Sequence, residues 1–234
     1  SQNRVLTQVR RTVGGQSQEV CIALDAATGR ELWARPLGTA AYDSGGGEGD
    51  GPRSTPTILG DRVFVLTSYL VLACLDLADG HQVWGVDLRS VYSGQNITWQ
   101  SSASPLIENG LVLVNCNAAN RTLLALRATD GTKVWQTSAN DRMTHSTPVA
   151  VTLQGMRQVI FYAQSGLVAV NPTNGTVLWR QSFKYNGTSA AASPVVSGNL
   201  IYASAAYNTG ALVTRIAKPG ATFTATLAMQ KPFE

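Results

Sequence analysis

The chain has 234 residues, 44 % apolar and 14 % charged, enough for one large all-β domain or two small ones and too regularly apolar for disorder. No stretch approaches the run of about 18 apolar residues that a membrane-spanning helix needs. The formal charge of +4 is scattered, with Arg10-Arg11 the sole adjacent basic pair, so the clustered basic stripe of a nucleic-acid-binding protein is absent.

Ser1-Gln2-Asn3-Arg4 is followed by alternation, not by the apolar run of a signal peptide. Residues 3 to 11 read as a strand, Gly14-Gly15 as a turn, Val20 to Leu24 as the next strand and Glu31 to Arg35 as a third. A glycine-rich connection then runs from 38 to 53. The second unit has strands near 55–59, 62–67, 70–76 and 81–87, followed by a connection over 89–101. The third unit has strands near 103–107, 111–116, 122–127 and 132–137. The fourth has strands near 147–152, 157–163, 166–171 and 176–182. The fifth has strands near 192–196, 199–205, 211–216 and 223–229. Runs such as Val63-Phe64-Val65-Leu66 are strand-like in their β-branched and aromatic content. No segment carries a helical period, and helix is expected nowhere.

Two phrases recur in phase. The first is Leu24-Asp25-Ala26-Ala27-Thr28-Gly29-Arg30-Glu31-Leu32-Trp33, with copies ending at Trp84, Trp135 and Trp179, so the steps are 51, 51 and 44 residues. The second is Ser54-Thr55-Pro56, repeated as Ala103-Ser104-Pro105, Ser146-Thr147-Pro148 and Ala192-Ser193-Pro194. Together they define four strands in roughly 45 residues, the size of one propeller blade. The glycine allows positive φ in a turn, and each Trp is expected to pack between neighbouring sheets with its N–H bonded. Cys21, Cys74 and Cys116 belong to no Cys-x-x-Cys pair and read as three strand-interior thiols.

The repeat Leu-Asp-x-x-x-Gly-x-x-x-Trp resembles the tryptophan-docking motif of the PQQ-like β-propellers, over residues 20 to 216. The resemblance implies an all-β propeller of four-stranded antiparallel blades, about five of them present (1–37, 54–88, 102–138, 146–183 and 191–230), in a single domain or propeller fragment. The family usually has seven or eight blades. Two arrangements follow: a five-bladed ring closed by pairing its first and last strands, or, the favoured one since both ends interrupt a unit, a piece of a larger ring. Open blade edges would then allow self-association. The resemblance also implies a periplasmic or secreted bacterial setting.

In a propeller the connection entering each innermost strand lies at one channel mouth. Three residues before each Pro stand Arg53, Ser102, His145 and Ala191, and six before stand Asp50, Trp99, Arg142 and Thr188. A purely structural position would be uniform from repeat to repeat; these vary. Asp50, Arg53, Trp99, Gln100, Arg142 and His145 are therefore the expected ligand-binding residues of the mouth. The Arg side chains suit an anion, and Trp99 with Tyr42 suits a sugar or other flat face. No catalytic constellation appears: His81 and His145 are not spaced as a metal pair, and Gly45-Gly46-Gly47 lacks a following Lys. The quinone-dependent enzymes of the family have a vicinal Cys-Cys that this chain lacks, and none of its five Glu is assignable as a calcium ligand. The favoured expectation is a non-catalytic scaffold, without cofactor or metal, that binds a protein partner. The alternatives are a quinone-dependent oxidoreductase using PQQ with calcium, and a carbohydrate-binding propeller.

Overall fold

The computed structural model describes residues 3–40, 51–185 and 190–232. Tyr42, Asp50, Gly45-Gly46-Gly47 and Thr188 lie outside the described residues. Five antiparallel sheets follow one another along the chain. The first has three strands, β1 (Arg4–Val13), β2 (Gln16–Asp25) and β3 (Glu31–Thr39). The second has β4 (Thr57–Leu59), β5 (Arg62–Leu66), β6 (Val71–Asp76) and β7 (Gln82–Asp87). The third has β8 (Leu106–Glu108), β9 (Leu111–Ala118), β10 (Arg121–Arg127) and β11 (Lys133–Gln136). The fourth has β12 (Val149–Leu153), β13 (Met156–Ala163), β14 (Gly166–Val170) and β15 (Val177–Ser182). The fifth has β16 (Val195–Ser197), β17 (Leu200–Ala205), β18 (Gly210–Ala217) and β19 (Thr224–Lys231).

Every sheet pairs its strands in sequence order, as a β-meander blade must. Four apolar clusters fill the spaces between successive sheets. One joins Cys21, Ala23 and Trp33 to Val63, Val65 and Leu75. Another joins Phe64, Leu72 and Cys74 to Val112, Val114 and Leu124. The remaining two continue from the third sheet to the fourth and from the fourth to the fifth. Among the described residues no strand of the first sheet pairs with one of the fifth. Among the described residues the first sheet has no counterpart of the strands β4, β8, β12 and β16.

One expectation needs correction. The connection after the second sheet carries a single helical turn, α1 (Leu88–Tyr92). Five residues are too few to display a 3.6-residue period, which hides the turn from pattern reading. Its cause is local: Asp87 caps it by accepting the Arg89 N–H, and Ser93 ends it in the left-handed conformation. Buried Leu88 ties the turn to the sheet through its N–H on the Leu70 carbonyl at 3.0 Å.

The Gly-x-x-x-Trp phrase builds the outer contact of each blade. In all four copies the glycine N–H donates to the carbonyl four residues back, as Gly80 does to Asp76 at 3.0 Å. The Asp25, Asp76 and Asn171 side chains accept backbone N–H groups inside the turn. The Trp ring of one blade then lies over the glycine of the next. A Cβ on Gly80 would stand 2.5 Å from the Trp33 ring, and one on Gly131 2.8 Å from the Trp84 ring. The indole N–H reaches the carbonyl three residues before that glycine: Trp33 to Leu77 at 3.1 Å, Trp84 to Ala128 at 2.9 Å and Trp135 to Pro172 at 2.7 Å.

The Ser/Thr-Pro phrase builds the inner contact. The Thr55 N–H donates to Ser104 Oγ at 2.8 Å, and the Ser104 N–H to Thr147 Oγ1 at 2.9 Å. The hydroxyls of Ser104 and Thr147 thus each accept from the same position of the preceding blade.

Candidate functional site

Strand order fixes where the variable residues gather. Turns carrying the repeat glycines lie at one end of the strands. The connections into β4, β8, β12 and β16 lie at the other, together with the hairpin turns at 67–70, 119–120, 164–165 and 206–209. At this second end each connection reaches the next. Arg53 donates from Nη1 to the Trp99 carbonyl at 2.6 Å, Ser102 Oγ to the His145 carbonyl at 3.2 Å, and the His145 N–H to the Ala190 carbonyl at 3.1 Å.

Arg53, Ser102, His145 and Ala191, the four residues three positions before a Pro, surround one open depression of about 310 Å³ with Trp99 and Tyr207. Trp99 and Gln100 both hold left-handed backbone, at φ 69° and 58°, and the Trp99 indole is left 46 % exposed. Exposure of so large an apolar ring contrasts with Trp33, Trp135 and Trp179, each at most 8 % exposed. His145 is half-buried, and burial, with the charge of Arg53, pushes its imidazole below the usual histidine range. The shift disfavours an imidazolium among the residues that line the depression.

Of the expected residues, Arg53, Trp99 and His145 are brought together at this mouth. Gln100 and Arg142 do not line it. Gln100 is buried, with its N–H on the Ile97 carbonyl at 3.0 Å. Arg142 is exposed beside the fourth sheet, where its carbonyl accepts the Gln164 N–H at 2.8 Å. Asp50 lies outside the described residues. Tyr207, 80 % exposed at φ 54°, went unread in the sequence because it belongs to no recurring phrase. The available signal was an aromatic residue between two strands already read at 199–205 and 211–216.

Among the described residues the donor set does not suit a calcium-held quinone. No described carboxylate lines the depression, which instead carries Arg53 and a disfavoured imidazolium. Glu31 and Glu108 are committed to Arg11 and Arg157, at 2.5 and 2.7 Å, and buried Glu19 accepts the Ser68 N–H at 3.0 Å. Asp76, Asp79 and His81 approach one another at the opposite end of the strands. There Asp76 pairs with Arg62 at 2.7 Å and Asp79 accepts the His81 N–H at 2.9 Å, which is turn chemistry. Cys21, Cys74 and Cys116 are buried, unpaired and interior to strands. Burial pushes the Cys21 thiol up to about 12 and the Cys74 thiol up to about 11, far from a reactive thiolate.

Residues 16–228 match the family described as outer membrane protein assembly factor BamB. The protein of that description from Moranella endobia (strain PCIT) is 24 % identical over 204 residues, covering 80 % of this chain and 47 % of the relative. Among solved structures, BamB from Moraxella catarrhalis aligns with a TM-score of 0.63 at 19 % identity, over 97 % of this chain and 57 % of its own. Quinohemoprotein alcohol dehydrogenase from Comamonas testosteroni aligns with a TM-score of 0.59 at 16 % identity, over 94 % and 41 %. These structural likenesses concern the propeller fold. The chain spans about half the length of the curated relative it matches.

Proposed function

The chain belongs to the family of the outer membrane protein assembly factor BamB, a family of PQQ-like β-propellers, and from that premise we propose that it is a non-catalytic scaffold which binds a protein partner through its channel-mouth face. It works in the periplasm, as a component of outer membrane protein assembly. No membrane-spanning helix is present among the described residues.

The observation that carries this reading is Trp99. Its ring is held out of every apolar cluster, on a backbone fixed by two consecutive left-handed residues and by the Arg53 bond to its carbonyl. Tyr207 and Arg53 stand beside it. Trp, Tyr and Arg are the residue types that concentrate binding energy in protein interfaces. A rigid backbone under them lowers the entropy lost on association. The Ser102 hydroxyl of the same depression donates to the His145 carbonyl, and no metal-ligand set lines it among the described residues.

The test is co-purification of the tagged chain with envelope proteins, comparing the wild type with Trp99→Ala and Tyr207→Ala. Loss of a central aromatic anchor weakens binding by about 2 kcal/mol or more, roughly 30-fold. Both side chains lie outside the apolar clusters, so the variants keep the wild-type unfolding midpoint. Retention of the same partners by both variants would exclude the mouth as the interface.

A further inference from the structure

Asn117 is 2 % exposed and stands near the mouth end of β9, at φ 55°. Its N–H donates to Asn115 Oδ1 at 2.9 Å, which holds that left-handed backbone. Its side chain reaches two connections at once. Nδ2 donates to the Gln95 carbonyl at 2.7 Å, in the connection that presents Trp99. Oδ1 accepts the Met143 N–H at 3.1 Å, in the connection that presents His145. One partner needs a donor and the other an acceptor, so the amide has a single orientation. Each bond lies close to the mouth along the chain. Beyond Gln95, buried Ile97 accepts the Gln100 N–H at 3.0 Å and closes the turn that projects Trp99. A Cβ on Gly94 would stand 2.6 Å from the Cys116 carbonyl oxygen, so this connection lies hard against β9. On the other side Met143, 1 % exposed, precedes His145 by two residues.

The same place in the neighbouring hairpins does less. Six residues beyond Arg62, Leu111, Gln158 and Leu200 stand Ser68, Asn117, Gln164 and Ala206. The Ser68 hydroxyl has no hydrogen-bond partner, Gln164 Nε2 reaches one connection, at the Met143 carbonyl and 3.1 Å, and Ala206 has no polar side-chain atom. Ser102 links the two connections at the surface, through its hydroxyl on the His145 carbonyl; Asn117 links them from beneath. We propose that Asn117 is a positioning residue, which sets the spacing of Trp99 and His145 across the mouth and so the shape a partner meets. Its consequence for binding rests on the mouth being the interface.

The test reads the two mouth residues separately in the intact chain, by fluorine NMR of 5-fluorotryptophan and proton NMR of the histidine rings. Trp99→Phe and His145→Gln assign the signals. Asn117→Gly keeps the left-handed backbone at no steric cost and removes both bonds; it should shift the Trp99 and His145 signals together. Gln164→Ala removes a bond to the second connection alone, and should shift His145 while Trp99 stays in place. Asn117→Asp at pH 8, above the ordinary carboxylate value of about 3.9, keeps an acceptor for Met143 and sets an oxygen against the Gln95 carbonyl. It should shift Trp99 and leave His145. The signals of Trp33, Trp135 and Trp179 should hold in all three variants, which a general loosening of the fold would not allow. Retention of envelope proteins in co-purification should fall about tenfold for Asn117→Gly, the response to roughly 1.4 kcal/mol. A Trp99 signal unmoved by Asn117→Gly or Asn117→Asp, a His145 signal unmoved by Asn117→Gly, or equal shifts at Trp33, Trp135 and Trp179 would each overturn the role of Asn117. Shifted mouth signals with full retention of the partners would keep that role and overturn the mouth as the interface.

Discussion

Trp179 donates its indole N–H to Gln158 Oε1 at 2.7 Å, a side chain of its own sheet, whereas the three preceding repeat tryptophans reach a carbonyl of the next one. The change has a cause in the fifth unit. There Gly220 follows Ile216 by four residues, where Gly80 follows Leu75 by five, and no Asp or Asn begins the turn. Nothing stands within 4 Å of a Cβ on Gly220, so no ring covers it. Gln158 supplies the missing acceptor from a strand position held by Arg4, Arg62 and Leu111 in the first three sheets. Replacing Gln158 by Leu leaves a buried indole N–H without an acceptor and should cost about 1–3 kcal/mol. Urea denaturation measures it, and a cost near zero would mean that the indole finds another acceptor.

Glycine substitutions separate backbone strain from close approach. Gly29→Ala and Gly80→Ala meet the same φ, 71° and 73°. Each should lose about 1–2 kcal/mol to the left-handed conformation. Only Gly80→Ala also drives a Cβ into the Trp33 ring, which adds roughly 1–3 kcal/mol of overpacking. Paired denaturation midpoints give the difference, and equal losses would contradict the ring contact.

The His145 titration reports on the mouth. Burial, then Arg53, lowers its proton affinity in the folded chain. The unfolded chain binds that proton more readily, near the ordinary value of about 6.5. This contribution therefore leaves stability unaffected above that value. It removes stability progressively as pH falls from there toward the lower folded value. Proton NMR of the His145 ring should show a midpoint below 6.5, and Arg53→Gln should raise it. A midpoint indifferent to Arg53→Gln would place the two side chains too far apart to interact.

All three thiols should resist alkylation while the fold persists. Burial raises Cys21, Cys74 and Cys116 above the ordinary thiol range, and Cys116 also points its Sγ at the Arg121 carbonyl at 3.3 Å. Iodoacetamide at pH 8 should modify them only at the rate of unfolding, read as a single shared rate in mass spectrometry. One thiol reacting well ahead of the others would reveal local opening of its strand.

The blades were legible because their residues repeat for a shared reason. Gly80, Gly131 and Gly175 must admit a ring, and Ser104 and Thr147 must accept an N–H from the preceding blade; identical demands leave identical letters. The mouth was partly legible through the opposite property, variation at a repeating position, which found Arg53, Trp99 and His145. It misplaced Gln100 and Arg142 because sequence distance from a Pro does not say which way a loop turns. In fact the left-handed backbone at Trp99 and Gln100 sends consecutive residues to opposite fates, one exposed and one buried. Tyr207 and α1 were invisible for a simpler reason: each depends on one local turn and recurs nowhere.

Where the second sheet meets the third and the third meets the fourth, a hydroxyl contact near the axis and an indole contact near the rim set two fixed points on one boundary. Two points at different radii define an angle, so the third and fourth blades each take their rotation from the neighbour before. Curvature is thereby a local property, written afresh at each boundary rather than imposed by the whole. Inserting or deleting one complete unit would leave every remaining boundary intact and change only how far the arc travels. Loss of a single rim ring would instead loosen one angle and be felt by all blades beyond it.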